Sequence, residues 1–145
     1  MLIRRARVED MPAVAVMHRQ TMRTSLPFLP DLHTPEQDLV FFRDHLFPSN
    51  VVWLAEEDGA VTGYVARGDG WLNQLYVHPD HQGRGVGDAL LATVMGGTDA
   101  LQLWTFQQNH RARRFYEKRG FVLAELTDGS GNEEKTPDAR YVWKR

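Results

Sequence analysis

Cysteine is absent from the 145 residues. Without thiols there is no disulfide framework and no thiolate metal site, and the chain suits a reducing compartment, the cytoplasm by default. Long apolar runs are missing too: no stretch approaches the ~20 residues of a membrane span, and Met1 to Arg7 lacks the apolar core of a secretory signal. Neither charge sign is in large excess. A formal net charge of −2 gives no general attraction to nucleic acid, so neither nucleic acid nor membrane is an expected partner. What is there, 42% hydrophobic residues over 145 positions, suffices for one core and not for two ordinary domains. A single domain over residues 1–145 is expected. The charge that is present is unevenly spread. Arg111, Arg113, Arg114, Lys118 and Arg119 crowd one segment, while Asp128, Glu133, Glu134 and Asp138 share another with Gly129 and Gly131 that reads as a loop.

Leu2 to Arg7 has the pattern of an opening strand, and Val8-Glu9-Asp10 opens a helix that tolerates Pro12 in its first turn. Met11, Val14, Met17 and His18 recur at helical spacing. Pro27 and Pro30 end that helix by removing donors and biasing their predecessors toward extended backbone. Thr34-Pro35-Glu36-Gln37 supplies an N-cap, a first-turn proline and a capping-box glutamine for a second helix, with Leu39, Phe42 and Leu46 on its apolar face. Val51–Glu56, the Asp58-Gly59 turn and Ala60–Arg67 predict a hairpin, and Gly70–Val77 a further strand. A helix from about Gly85 to Met95 stops at Gly96-Gly97. Leu101–Phe106 is a strand, Asn109–Arg119 a helix ended by Gly120, and Phe121–Leu126 with Ala139–Trp143 a last strand pair. The pattern is mixed α/β.

The most informative stretch runs from Leu75 to Leu91: an apolar strand, a glycine-rich turn, then a helix opening directly out of the turn. Helix starts leave amides without internal partners and carry partial positive charge, and glycines let an anion approach the main chain. A nucleoside-triphosphate loop would need Lys-Ser or Lys-Thr after its last glycine, but Asp88-Ala89 follows Gly87. A dinucleotide fingerprint begun at Gly83 would want glycine or alanine where Asp88 stands. The plainer alternative is a tight connection with no ligand.

Gln82, Gly85 and Gly87 after Leu75-Tyr76-Val77 resemble motif A of the GNAT acyltransferase superfamily. Downstream, Leu103-Trp104-Thr105-Phe106, Asn109, Ala112 and Phe115 to Phe121 resemble its motif B, so the resemblance covers about Gly70 to Leu126. It implies an α+β fold: a central, mixed, mostly antiparallel twisted sheet of about seven strands with four helices, splayed at the acyl-CoA site. It implies an N-acetyltransferase that moves an acetyl group from acetyl-CoA to a primary amine of a small molecule or protein by direct attack in a ternary complex. By the same resemblance, main-chain amides of Gln82, Gly83, Arg84, Gly85, Val86, Gly87 and Asp88 hold the pyrophosphate, and Leu75, Tyr76 and Val77 receive the pantetheine arm. Asn109, Ala112 and Phe115 line that arm, Asn109 doubling as a helix N-cap. Arg113 and Arg84 could neutralise phosphate, whereas Arg111, Arg114 and Lys118 read as a solvated helix face.

Tyr116 matches the family's acid for the departing thiolate, a phenol that keeps its proton at neutral pH. Its alternative is core packing beside Phe115. No base stands out. Some relatives carry a glutamate before motif A, where this chain has Asn73-Gln74, which cannot titrate; Gln74 is therefore assigned to acceptor contact. A water relay, His33, His78 or an acidic-loop residue are the remaining sources of a base. The family's acceptor side corresponds to Ser25–His33 and Thr127–Asp138, with Phe28 and Leu29 as walls and His33 as a polar tip. His78 and His81 lack a third ligand, so no metal is expected. A second class of function, an acyl-CoA sensor without turnover, keeps the same cradle. A homodimer is compatible with the sequence.

Overall fold

A computed structural model describes residues 1–145, in which seven strands alternate with four main helices. They are β1 (Leu2–Arg5), α1 (Met11–Ser25), α2 (Pro35–Phe41), β2 (Val51–Glu57), β3 (Ala60–Arg67), β4 (Leu72–Val77), α3 (Val86–Met95), β5 (Ala100–Phe106), α4 (His110–Lys118), β6 (Val122–Leu126) and β7 (Asp138–Lys144).

Local chemistry accounts for the boundaries. Strand β1 stops two residues earlier than expected, because Arg4 turns back onto Asp10 with two hydrogen bonds of 2.9 and 2.8 Å. Asp10 also accepts from the Arg7 amide at 2.7 Å, and a short 3-10 turn at Val8–Asp10 leads into α1. The capping box at α2 is present in both directions: the Gln37 amide donates to Thr34 Oγ1 at 3.1 Å and the Thr34 amide donates to Gln37 Oε1 at 2.9 Å. Beyond Phe41 the helix widens into a π turn over Phe42–Leu46 that the sequence pattern does not show. Asp58 and Gly59 both take positive φ, 52° and 79°, as the two-residue hairpin between β2 and β3 requires.

Strands β1, β2, β3 and β4 form one antiparallel sheet in that order. A second sheet has the order β5-β7-β6, so the last strand inserts between its two predecessors. Alternation along β3 gives the sheet two apolar faces. Tyr64 and Ala66, with Val52 and Leu54 of β2, pack against Met11, Val14 and Met17 of α1 and against Phe42 and Leu46. Val65 turns the other way, toward Val86, Leu90 and Leu91 of α3 and toward Leu103, Tyr116 and Tyr141.

The two sheets meet where β4 and β5 run parallel. They touch only at their start, through a bridge of Trp71 to Gln102 and a 3.0 Å bond from the Gln102 amide to the Gly70 carbonyl. Past that point the ladder is not made. Leu75–Val77 and Leu103–Phe106 diverge, leaving a wedge with unpaired main-chain groups on its walls.

Candidate active site

The wedge opens at the glycine turn. Gly83 and Gly85 have φ of 78° and 83°, in the left-handed region where a side chain is strained, and a Cβ built on Gly85 meets no heavy atom within 4 Å. Gly85 is the N-cap of α3, and the first helical bond runs from the Ala89 amide to the Gly85 carbonyl at 3.1 Å. The amides from Gly83 to Asp88 therefore have no acceptor in the chain and surround open space. Such a cradle fits an anionic group.

Gly87 has a different use. A Cβ there would lie 3.3 Å from Phe115 Cε1, so its missing side chain lets α3 and α4 approach. Gln82 is likewise a brace: its Nε2 donates to the Val77 carbonyl at 3.0 Å and to Ser25 Oγ at 3.2 Å, tying the turn to β4 and α1.

A cavity of about 350 Å³ runs from this turn into the wedge. Leu75, Tyr76, Val77, Gln82, Gly83, Gly85, Val86, Gly87, Asn109, Ala112, Phe115 and Tyr116 all line it, a set taken from segments up to 41 residues apart in sequence. Asn109 caps α4 by accepting from the Ala112 amide at 3.2 Å. Three expected residues stay out of the cavity wall. Arg113 is a correction: its Nε donates to the Tyr141 hydroxyl at 2.9 Å, and that hydroxyl donates to Glu117 at 2.6 Å, which holds the guanidinium against the sheet. Arg111, read from sequence as a solvated face, lines the cavity instead and comes within 4.0 Å of the Cβ position on Gly83. The Asp88 carboxylate bonds Arg119, whose guanidinium also covers the Phe115 ring at 3.7 Å, so only its amide faces the cradle. Arg84 is exposed on the turn.

Tyr116 lines the same cavity and is 7% exposed, with its ring edge-on to Phe115 and Phe121. Burial, then the neighbouring Tyr76, push its phenol well above the ordinary value near 10. Its hydroxyl has no partner in the chain, and the residue borders both this cavity and an inner pocket shared with Gln74, Trp104 and Phe106.

On the other side of Tyr76, α1, residues 26–33 and Glu134 enclose a cavity of about 270 Å³. Leu29 and His33 line it; Phe28 instead meets the Phe106 ring edge-on with centroids 6.3 Å apart. Arg19 is fully engaged, by Asp38 at 2.8 Å, Asp31 at 3.3 Å and the His33 carbonyl, and Arg23 holds Asp31 at 3.0 Å. Two candidate bases are also occupied. His33 pairs with Glu133 on the surface, and His78 Nδ1 accepts from the Asp80 amide at 3.1 Å as a turn cap. Sequence reasoning missed His18, whose Nδ1 lies 2.7 Å from the Tyr64 hydroxyl, which in turn donates to Gln74 Oε1. The available signal was a polar ring on an otherwise apolar helix face.

A sheet that opens beside an anion cradle accommodates a long, thin acyl carrier with phosphates at one end, and the protein falls among acyltransferases built on a splayed sheet. Residues 48–123 match the acetyltransferase (GNAT) domain, more than half of the chain, and the chain belongs to that family. It is an acetyl-CoA-dependent N-acetyltransferase. Over 140 residues it is 29% identical to the L-amino acid N-acyltransferase MnaT of Escherichia coli, covering 85% of this chain and 80% of that one. The peptidyl-lysine N-acetyltransferase YiaC of the same organism is 28% identical over 125 residues, covering 86% and 85%. Among solved structures, yncA of Salmonella typhimurium with its cofactor acetyl-CoA superposes with a TM-score of 0.77 at 23% identity, covering 99% of this chain and 93% of that one.

Proposed function

We propose that the whole chain works as one acyltransferase domain that holds acetyl-CoA in the wedge and passes the acetyl group directly to an amine bound on the α1 side. The observation that carries this is the run of unpartnered amides from Gly83 to Asp88 beside a cavity that Tyr116 also lines. Those amides, with Arg84 and Arg111, would hold the pyrophosphate, and Leu75 to Val77 with Asn109, Ala112 and Phe115 would hold the pantetheine arm. When bound, acetyl-CoA supplies an activated thioester. Main-chain groups of β4 freed by the splay can donate to the carbonyl oxygen as charge develops. Tyr116 remains protonated and donates to the leaving sulfur.

The acceptor side favours an alkylammonium of the lysine type. The guanidiniums of Arg19 and Arg23 are committed to Asp31 and Asp38, so the cavity offers no free cation for an amino acid carboxylate, while the Glu134 carboxylate is unpaired there. MnaT and YiaC, named for the two acceptor types, frame the test. Thiol release from acetyl-CoA is followed with a blocked lysine bearing a free ε-amine and with free L-amino acids. Turnover with the blocked lysine supports the reading; turnover confined to free amino acids reverses the acceptor assignment. Absence of acetyl-CoA binding by calorimetry removes the cofactor placement.

A further inference from the structure

The sequence offers no carboxylate at the position where some family members carry a base, and the two other histidines considered are occupied. We propose that His18 of α1 is the general base: its Nε2 takes a proton from the acceptor nitrogen as the amine attacks. The inference rests on acetyl transfer at this site and adds a catalytic residue to it.

The hydrogen-bond pattern around the ring favours one tautomer. The Tyr64 hydroxyl has one proton and gives it to Gln74 Oε1. With Gln74 turned so that Oε1 faces Tyr64, the 2.7 Å contact between that hydroxyl and His18 Nδ1 is one that an Nδ1–H donates, leaving the lone pair on Nε2. Nε2 has no partner in the chain, and His18 lines the acceptor-side cavity together with Arg19, Leu29, Asp38 and Glu134. The ring cannot turn away freely. It is wedged against Phe42 and Tyr76, each with centroids 5.1 Å apart, and against Tyr64 at 6.1 Å. Tyr76 belongs to β4 and also lines the thioester cavity, and Gln74 borders the inner pocket with Tyr116. His18, Tyr64 and Gln74 thus form a hydrogen-bonded chain from the acceptor cavity to the strand beside the reacting centre.

The charged and titratable groups around the ring are Arg19 of α1, Asp38 of α2, Tyr64 and Tyr76 of the sheet, and Glu134 of the β6–β7 loop. Burial is the largest influence on His18 and lowers its pKa to about 4; Asp38 opposes this and Arg19 reinforces it. The imidazole is consequently neutral and ready to accept at neutral pH. Its free Nε2 lone pair is available for the amine proton, which becomes acidic once nitrogen has bonded to carbon.

Protons balance. The acceptor ammonium first loses one proton to water. As nitrogen bonds to the carbonyl carbon, its second proton passes to His18 Nε2; as the carbon–sulfur bond breaks, sulfur receives the Tyr116 proton. One proton moving through water from imidazolium to phenolate restores both side chains.

Two measurements test the assignment. In His18→Ala, acetyl transfer to the blocked lysine should fall ~10²-fold or more while acetyl-CoA affinity holds within ~2-fold, and added imidazole should restore much of the lost rate. In the free protein, ¹⁵N spectra should show His18 with Nδ1 protonated and Nε2 bare at neutral pH, and Tyr64→Phe should disturb that tautomer and lower turnover ~10-fold. Parental activity in His18→Ala, a loss that imidazole leaves untouched, or an Nε2–H tautomer would each overturn the proposal. A parent protein inactive toward the blocked lysine defeats the acceptor reading instead, and the tautomer then decides this one.

Discussion

Tyr116 and Gly85 line one cavity and answer different demands. The Tyr116 phenol is raised by burial, so under the proposed mechanism desolvation of the hydroxyl sets how tightly it holds the proton meant for sulfur. Tyr116→Phe should reduce kcat ~10²-fold with little change in acetyl-CoA affinity, because the hydroxyl matters mainly as the thiolate leaves. Steady-state kinetics beside calorimetry check the split; equal losses in both would make it a binding residue. Gly85 holds φ at 83° with open space where a side chain would stand. Gly85→Val should cost ~1–2 kcal/mol of stability from left-handed strain and should weaken acetyl-CoA binding by filling the cradle. Unchanged affinity by calorimetry would refute the cradle. At this scale the placement of the glycines, Asn109 and Tyr116 along one cavity was legible, because each residue type is tied to a local geometry or chemistry. Arg113 and Arg111 were not: two residues along one helix turn them to different neighbours, and only the presence of Tyr141 and Glu117 decides which one is held away from the turn.

Elements carry these residues into place through a few close contacts. Helices α3 and α4 approach over Gly87, where Phe115 fills the space a side chain would take, and Arg119 links α4 back to Asp88 of α3. The cradle and the Tyr116 helix are therefore braced against each other. On the acceptor side, α2 begins in a reciprocal cap at Thr34 and Gln37, and Asp38 one residue later anchors Arg19 of α1. Thr34→Ala should lose ~1 kcal/mol in urea denaturation and raise KM for the acceptor more than for acetyl-CoA, since the cap orders the segment that walls the amine cavity. A shift in KM for acetyl-CoA alone would contradict that division. Helices and hairpin were readable from periodicity, caps and the Asp58-Gly59 turn. The π turn at Phe42–Leu46 was not, because it follows from seating Phe42 and Leu46 on Tyr64 and Val52 rather than from any local signal.

For the molecule as a whole, burying His18 and pairing Asp10 couple the fold to pH. The folded pKa of His18 is about 4 against an ordinary 6.5, so on acidification the unfolded chain binds a proton that the native protein refuses. That contribution to stability is complete above pH 6.5 and declines as pH falls toward 4, by up to ~3 kcal/mol. Asp10, lowered from 3.8 to about 2 chiefly by its bonds to Arg4, adds a term present above 3.8 and lost as pH falls through about 2. Urea denaturation at neutral pH and near pH ~4.5 should therefore show a loss of stability in the parent that is largely missing in His18→Gln. The same drop in both proteins would place the acid sensitivity elsewhere. The sequence by itself determined the element types, the glycine cradle and the family, because these depend on near-neighbour spacing, main-chain geometry and residue chemistry. Tertiary structure alone decided that β7 lies between β5 and β6, that β4 and β5 part after one bridge, and that His18, Tyr64 and Gln74 meet. The reason is physical: strand order and side-chain networks depend on which distant surfaces bury one another, a property of the packed chain rather than of any segment.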